Sequence, residues 1–396
     1  MKIAGIVCEY NPMHNGHLFH INRTRQNGAT HILAVMSGNF VQRGETAVMD
    51  KFSRASCALK GGADLVIEIP SVYSLSSAEY YARGAVSIMN SLGCVEEISF
   101  GSECGDTELL LQTAEAVTSI SPTDLEERMR KGTTYPSALT GLLKEKYGSE
   151  IADIVASPNN VLAIEYIKAI RFLGSSIKPF TVSRMGARHD SFSEKSNISS
   201  ASFIRYKMME SEDFKNLVPD FVYRSYIENL DSGKISDIGN LDRILLYKLR
   251  MISAVELKEV PDVGQGLEYR LKQYDAAASV KKLLEQVKTK RYTMARLRRI
   301  LLNMIIGVRS EDLKILPPYA RILAMNERGR EILAECSNSK IPISTSPAKL
   351  AAAGKEAERF ISIEGKASDI YGLSQKNAGS RDDDFRAAVR IEKNEN

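Results

Sequence analysis

The segment Glu9-Tyr10-Asn11-Pro12-Met13-His14-Asn15-Gly16-His17 places two histidines three positions apart around a small residue and a glycine. It leaves a short apolar run, Ile3–Cys8, and opens a helical stretch. Backbone N–H groups and the positive end of the helix converge at such a junction, which makes it a ready anion site. Gly16 lets a phosphate approach the backbone closely. Ring N–H groups of His14 and His17 can donate to phosphate oxygens and stabilise the charge that develops as pyrophosphate leaves. His20 lies one turn further on, where it can support them. The plain alternative is a pair of surface histidines capping a helix. The position after a first strand and before a first helix favours the anion site.

Other segments carry compatible groups. Met36-Ser37-Gly38-Asn39 offers small and amide groups after a second apolar run. Arg43 and Lys51 are cations available for a carboxylate or phosphate, and an arginine would hold a carboxylate bidentately. The competing reading is a solvated loop, with Asp50 capping an ordinary helix that begins at Lys51. In Phe100-Gly101-Ser102-Glu103 a glycine at a strand end lets a base or ribose lie on the backbone, or is simply a turn glycine. In Ser157-Pro158-Asn159-Asn160 either asparagine is an ordinary N-cap. Asp64 and Glu68 flank the third strand and are not assigned to catalysis. No Asp-x-Asp pair or His/carboxylate cluster points to a tightly held metal.

The elements that must position these residues alternate. Apolar runs at 3–8, 31–36, 63–69, 95–100 and 179–184 are separated by helical stretches. Strands alternating with helices of about ten residues mean βαβ units and a parallel sheet. The runs are apolar without alternation, as strands covered on both faces should be. Ligands of such sheets bind at the carboxyl ends of the strands. The expected fold is therefore α/β. A Rossmann-like domain spans 1–210 with a helical insertion at about 107–175. A mainly helical domain follows at 211–373, and 374–396 is expected to be a disordered tail. At roughly 150 residues per domain, 396 residues make two or three domains. With 43% hydrophobic and 26% charged residues, the chain is neither disordered, collagen-like nor coiled coil. No apolar run approaches the roughly 20 residues of a membrane span, and the start is too short for a signal peptide. Five cysteines without a Cys-x-x-Cys pair read as reduced thiols of a cytosolic protein.

The net charge of +4 says little, but its distribution says more. The first 100 residues hold eight basic and eight acidic side chains. From Lys281 to Arg299 there are eight basic residues against the single acid Glu285. Such a stretch neutralises phosphates and makes binding salt-dependent, although charge runs are usually solvated faces. The expected nucleic-acid contacts are Lys288, Lys290, Arg291, Arg296, Arg298 and Arg299. Tyr292 and Tyr319 are aromatic candidates for base stacking.

His14-Asn15-Gly16-His17 after an N-terminal strand resembles the nucleotidyltransferase superfamily marked by His-x-Gly-His. Longer motifs narrow the likeness: residues 8–17, 36–45, Gly62-Ala63-Asp64-Leu65-Val66-Ile67-Glu68-Ile69-Pro70, Phe100-Gly101-Ser102-Glu103 and Ser157-Pro158-Asn159-Asn160. Ala295-Arg296-Leu297-Arg298-Arg299-Ile300-Leu301 and Pro318-Tyr319-Ala320-Arg321-Ile322-Leu323 continue it to about residue 373. Together they resemble the bacterial tRNA(Met) cytidine acetate ligases. The resemblance implies activation of acetate by ATP to acetyl-adenylate, with release of pyrophosphate. The acetyl group then passes to the N4 amine of the wobble cytidine of elongator tRNA(Met), without acetyl-CoA. It implies ATP contacts at Val7, Cys8, Glu9, Tyr10, Asn11, Pro12, Met13, His14, Asn15, Gly16, His17, Leu18, Phe19 and His20. Further ATP contacts fall at Gly101, at Asn159 or Asn160, at Arg184, and at Ser202 and Arg205 of a second, hydroxyl-rich superfamily motif. His14, His17 and Lys51 are the expected catalytic set, and Ser37, Gly38 and Arg43 the expected acetate or adenylate contacts. Mg²⁺ is expected to arrive with ATP, held by phosphates and water. Two other classes compete: a nucleotidyltransferase for a small phosphorylated metabolite, and a noncatalytic RNA-binding protein. The basic helical piece counts against the first, and the intact histidine motif against the second.

Overall fold

The computed structural model of the protein describes residues 1–183, 199–387 and 390–391. Five parallel strands form the centre: β1 (Ile3–Cys8), β2 (His31–Ser37), β3 (Leu65–Ile69), β4 (Glu97–Ser102) and β5 (Lys178–Ser183). They lie in the order β3-β2-β1-β4-β5. The chain moves outward through β2 and β3, then returns to the other side of β1, so the strand order reverses beside β1. Crevices for ligands form at such a switch point. β2 and β3 are buried at every position, which explains their unbroken apolar runs.

Four helices fix the strand ends that matter. α1 (Asn15–Gln26) starts directly after the loop that leaves β1. α2 (Lys51–Lys60) is capped by Asp50, whose Oδ1 accepts the N–H groups of Phe52 and Ser53 at 2.8 and 3.0 Å. α3 (Ala78–Leu92) and α4 (Pro158–Phe172) pack against each other. At Gly5 a Cβ atom would lie 2.5 Å from Met89 Sδ, so the glycine leaves room for the Met89 side chain of α3 against β1. Between β4 and α4 the chain forms further helices, from Thr107–Thr118 to Ser149–Ile154, with a small apolar cluster around Leu143.

Two expectations about the second half change. The region after 210 is largely helical, with α5 (Ala201–Met209) leading into it, then α6 (Met294–Ile306) and α7 (Glu327–Glu335). It also supplies β6 (Ala320–Met325), which pairs antiparallel with β3 and joins the central sheet. The short β7 (Ile343–Ser344) pairs with β6 in turn. One apolar cluster holds Leu33, Ile67 and Ile98 together with Leu301, Phe360 and Tyr371, so position 210 does not separate two cores. A six-residue apolar run does not reveal by periodicity whether it is strand or helix, nor which edge it will join. The tail is the second correction. Ser374 and Asp384 are buried, and β8 (Arg390–Ile391) pairs with β6.

The reason for that docking is electrostatic. Lys51 Nζ lies 2.7 Å from Glu68 Oε1 and 2.7 Å from Asp384 Oδ1. Arg321 Nη1 lies 3.3 Å from Glu68 Oε2 and 2.5 Å from Asp384 Oδ2. All four side chains are at most 2% exposed. Two cations and two carboxylates make a neutral quartet joining α2, β3, β6 and the tail. Low apolar content suggested a frayed end, but Asp384 supplies the carboxylate without which two buried cations would share one. Burial alone would raise the Asp384 pKa. Lys51 and Arg321 outweigh it and hold the carboxyl below the ordinary Asp range. No helix among the described residues is long and apolar enough to cross a membrane.

Removing one member of a buried ion cluster typically costs about 3–5 kcal/mol, because a charge is left uncompensated. Asp384→Ala is expected to lower unfolding stability by about that amount, measured by denaturant titration. Because the folded pKa is depressed, the wild-type advantage should be complete above about pH 4. It should shrink as pH falls through the folded value. An unchanged midpoint at neutral pH would mean that the tail carries no stability.

Candidate functional site

The site grows from the end of β1. Tyr10 turns the chain with a left-handed backbone (φ 45°), and Asn11 Oδ1 accepts the Val48 N–H at 2.8 Å. His14 then caps α1 from an extended conformation. Its Nδ1 accepts the Gly16 N–H at 3.1 Å, while His17 Nδ1 accepts the His14 N–H at 3.1 Å. This is a reciprocal capping box built from imidazoles instead of a hydroxyl and a carboxylate. The two rings stack with centroids 3.7 Å apart, and Tyr10 meets His17 edge-on at 5.0 Å. With both Nδ1 atoms accepting, each neutral ring carries its proton on Nε2. His20 is set back, with Nε2 2.9 Å from Ser99 Oγ on β4.

These residues line a cavity of about 370 Å³ at the carboxyl ends of β1, β4 and β5, the switch point of the sheet. Val7, Cys8, Glu9, Tyr10, Asn11, His14, Gly16, His17, Phe19 and His20 contribute from the first loop and helix. Gly101 closes the end of β4, Asn159 enters from α4, and Ser202 and Arg205 from α5. Arg43 and Gln42 come from a small antiparallel hairpin, Phe40–Val41 with Glu45–Thr46. Gln42, Tyr81, Leu162 and Tyr166 were not among the expected residues, because nothing in their spacing marks them. Among the described residues Glu9 is the sole carboxylate in the lining. Desolvation pushes its pKa up, against the Gln42 N–H at 2.9 Å and the nearby Arg205, Arg43 and Arg54.

Arg205 is set at the mouth by its fork. Nη1 donates to Asn11 O at 2.9 Å, and Nη2 pairs with Glu45 Oε2 at 3.2 Å. A second arginine meets the same carboxylate, since Arg298 Nη1 lies 2.6 Å from Glu45 Oε1. Gly44 turns the hairpin with φ 72°, and a Cβ there would sit 2.6 Å from Arg298 Cβ. The N-terminal half of α6 is thus seated against the hairpin that carries Arg43.

The structure separates Asn159 from Asn160. Asn160 is buried, accepts the N–H groups of Glu103 and Cys104 at 2.9 and 3.2 Å, and locks the loop after β4. Asn159 lines the cavity and donates to Glu103 Oε1 at 2.6 Å. Pro12, Met13, Asn15 and Leu18 lie in the expected segment but do not line the cavity. Arg184 lies outside the described residues.

Several expected cations are placed elsewhere. Lys51 belongs to the buried quartet and does not reach the cavity, because two carboxylates hold its ammonium. Ser37 and Gly38 also lie behind the wall. Ser37 Oγ meets Tyr81 Oη at 3.3 Å, and both backbone carbonyls accept from Arg54. Arg54 is fully buried and also donates to Glu9 O at 2.6 Å and Met49 O at 2.9 Å. A mid-helix arginine with no motif around it carried no signal of that role. Among the basic stretch, Lys288, Lys290 and Arg291 are exposed. Arg299 is buried against Asp262 Oδ2 at 2.7 Å, and Arg296 donates to Asp262 O at 2.8 Å. Those two and Arg298 are tied to protein partners, so the expectation of six phosphate contacts is corrected to three exposed cations. Tyr292 and Tyr319 are buried and offer no stacking face.

A three-layer sheet with a switch-point cavity, floored by a paired His-x-Gly-His cap, defines a nucleotidyltransferase. The family model described as HIGH Nucleotidyl Transferase matches residues 1–385. A tRNA(Met) cytidine acetate ligase of Thermoanaerobacter sp. (strain X514) is 39% identical, covering 97% of this chain and 98% of its own. One from Clostridium tetani is 34% identical over 98% of this chain and all of its own. Crystal structures of Thermotoga maritima TmcAL superpose at 31% identity over 99% of this chain and 100% of theirs. The TM-score is 0.93 for the apo form and 0.91 for the form bound with alpha-thio ATP. The chain belongs to the tRNA(Met) cytidine acetate ligase family.

Charge-assisted hydrogen bonds, such as those an arginine of this cavity can offer an anion, are each worth about 1.5–3 kcal/mol. Arg205→Met is therefore expected to weaken binding of inorganic pyrophosphate at least about tenfold, measured by calorimetric titration. Undiminished affinity would remove Arg205 from the anion site.

Proposed function

We propose that the protein activates acetate with ATP and acetylates the wobble cytidine of elongator tRNA(Met). The observation that carries this reading is the imidazole capping box. Two stacked histidines line a cavity at the switch point while backbone amides hold their Nδ1 atoms, which leaves donation to a ligand to their Nε2 side.

In the first step an acetate oxygen bonds to the α-phosphorus of ATP. The Pα–O bond to the β-phosphate breaks, and pyrophosphate leaves. His14 and His17 donate to the phosphoryl oxygens that gain charge, and Arg205 with Ser202 neutralises the leaving pyrophosphate. Preorganised donors of this kind supply most of such a rate enhancement. Arg43 is the cation available for the acetate carboxylate, and Gly101 and Asn159 flank the nucleoside. In the second step the cytidine N4 attacks the carbonyl carbon of acetyl-adenylate, AMP departs, and the amine proton passes to solvent. Among the described residues Glu9 is the one carboxylate of the lining, and it already accepts the Gln42 N–H. Mg²⁺ would enter on the triphosphate, held by phosphate and water. Lys288, Lys290 and Arg291 remain as exposed contacts for RNA phosphates. Such a substrate places the enzyme in the cytoplasm.

The direct test supplies ATP, labelled acetate and elongator tRNA(Met), then digests the RNA. N4-acetylcytidine carrying label is expected with acetate and not with labelled acetyl-CoA. Pyrophosphate exchange driven by a phosphorylated metabolite, with no label in RNA, would overturn the reading. His14→Ala and His17→Ala should each lower acetate-dependent ATP–pyrophosphate exchange by about 10²–10³-fold, the usual effect of losing a transition-state donor. Their tRNA affinity should stay near wild type. Reversing charge at Lys288, Lys290 and Arg291 together should weaken tRNA binding, flatten its salt dependence, and spare the exchange reaction. Unaltered RNA affinity in that triple variant would place the RNA on another face.

A further inference from the structure

Cys94 and Cys336 stand 242 positions apart in the chain, yet their sulfur atoms lie 2.9 Å apart. Cys94 follows the glycine that closes α3 and precedes β4. Cys336 follows α7 directly. The two segments are already fastened at this point. Lys340 N donates to Ser91 O at 2.8 Å, and Ser339 Oγ donates to the same carbonyl at 3.2 Å. A disulfide needs its sulfurs about 2.05 Å apart, so closure asks for the two sulfurs to approach by about 1 Å.

We propose that Cys94 and Cys336 form a modification site, a thiol pair that a low-molecular-weight disulfide oxidises to an intramolecular disulfide. The bond would join the end of α3, in the first half of the chain, to the β6–α7 unit of the second. Cys94 is the attacking thiol. It is half-buried whereas Cys336 is buried, and the hydrogen bond from Cys336 draws its pKa down against the effect of burial. Thiolate character and access are what such attack requires. The Cys94 sulfur bonds to one sulfur of the small disulfide. That S–S bond breaks, and a small thiol leaves with one proton. Cys336 then gives up its proton, its sulfur bonds to that of Cys94, and the second small thiol leaves with that proton. Two protein thiols lose two electrons in total, and one small disulfide becomes two small thiols.

The pair differs from the other cysteines. Cys8, at the cavity, is buried, and burial pushes its thiol far up, so it makes a poor thiolate. Cys94 also lies before the amino end of β4, whereas Gly101 faces the cavity near its carboxyl end. The length of a strand separates the bond from the site. Its expected effect is on the opening of the fold rather than on the reaction, because a cross-link over 242 positions restricts the unfolded chain strongly.

The test uses the full-length protein incubated with oxidised glutathione, then alkylated, digested and mapped by mass spectrometry. A linked Cys94–Cys336 peptide is expected, with the other three of the five cysteines still alkylated and full reversal by dithiothreitol. The oxidised wild type should melt at a higher temperature than the reduced wild type. Cys94→Ser and Cys336→Ser should lose that difference. A lasting glutathione adduct on Cys94, a disulfide-linked dimer, or alkylation of all five cysteines would overturn the proposal. The comparison of oxidised with reduced wild type needs no variant to fold.

Discussion

A charge-neutral quartet inside the protein, Lys51 and Arg321 against Glu68 and Asp384, is the constraint on which the rest of the structure depends. Any three of these groups would leave a buried charge uncompensated, at a cost of several kcal/mol. Satisfying all four requires α2, β3, β6 and the chain near 384 to meet at one point. The second half is therefore part of the sheet that carries the site, not an appendage beside it. β6 brings Arg321 in only by pairing antiparallel with β3, and α7 follows to pack on the same sheet.

The catalytic face is held in a related way from behind. Arg54 sits one turn beyond Lys51 on α2 and spends its guanidinium on backbone carbonyls at the ends of β1 and β2. Those carbonyls would otherwise be buried without donors, which native structures avoid. In front, Glu45 draws together Arg205 of the cavity and Arg298 of α6. The hairpin between them carries Arg43. Cations that look interchangeable in the sequence divide by burial and partner: some brace the wall, some line the cavity, and others, Lys288, Lys290 and Arg291 among them, stand exposed.

The imidazole cap explains why the motif takes the form it does. A capping box usually pairs a hydroxyl with a carboxylate. Two histidines satisfy the same backbone amides without placing a carboxylate at the cavity. Asn160 shows a similar economy on α4: it organises the loop behind Gly101 while Asn159 takes the place at the cavity. Family membership agrees with this arrangement, since relatives match over nearly the whole chain and the superposed structures cover it as well.

The sequence by itself determined the five parallel strands, and its motifs singled out His14, Gly16, His17, Gly101, Ser202 and Arg205, which the fold brings to one cavity. Those features are local: apolar runs between helices mark buried strands, and strand ends mark the ligand face. Tertiary structure decided what depends on partners distant in the chain. It joined Ala320–Met325 to the sheet, because a short apolar run carries no address for its neighbour. It gave Lys51, Arg296 and Arg299 protein partners, because Glu68, Asp384 and Asp262 were there to pair with them. It docked a polar tail through one aspartate, where composition favoured fraying. A charged residue's role follows from which opposite charge shares its low-dielectric surroundings, and only the folded chain sets that.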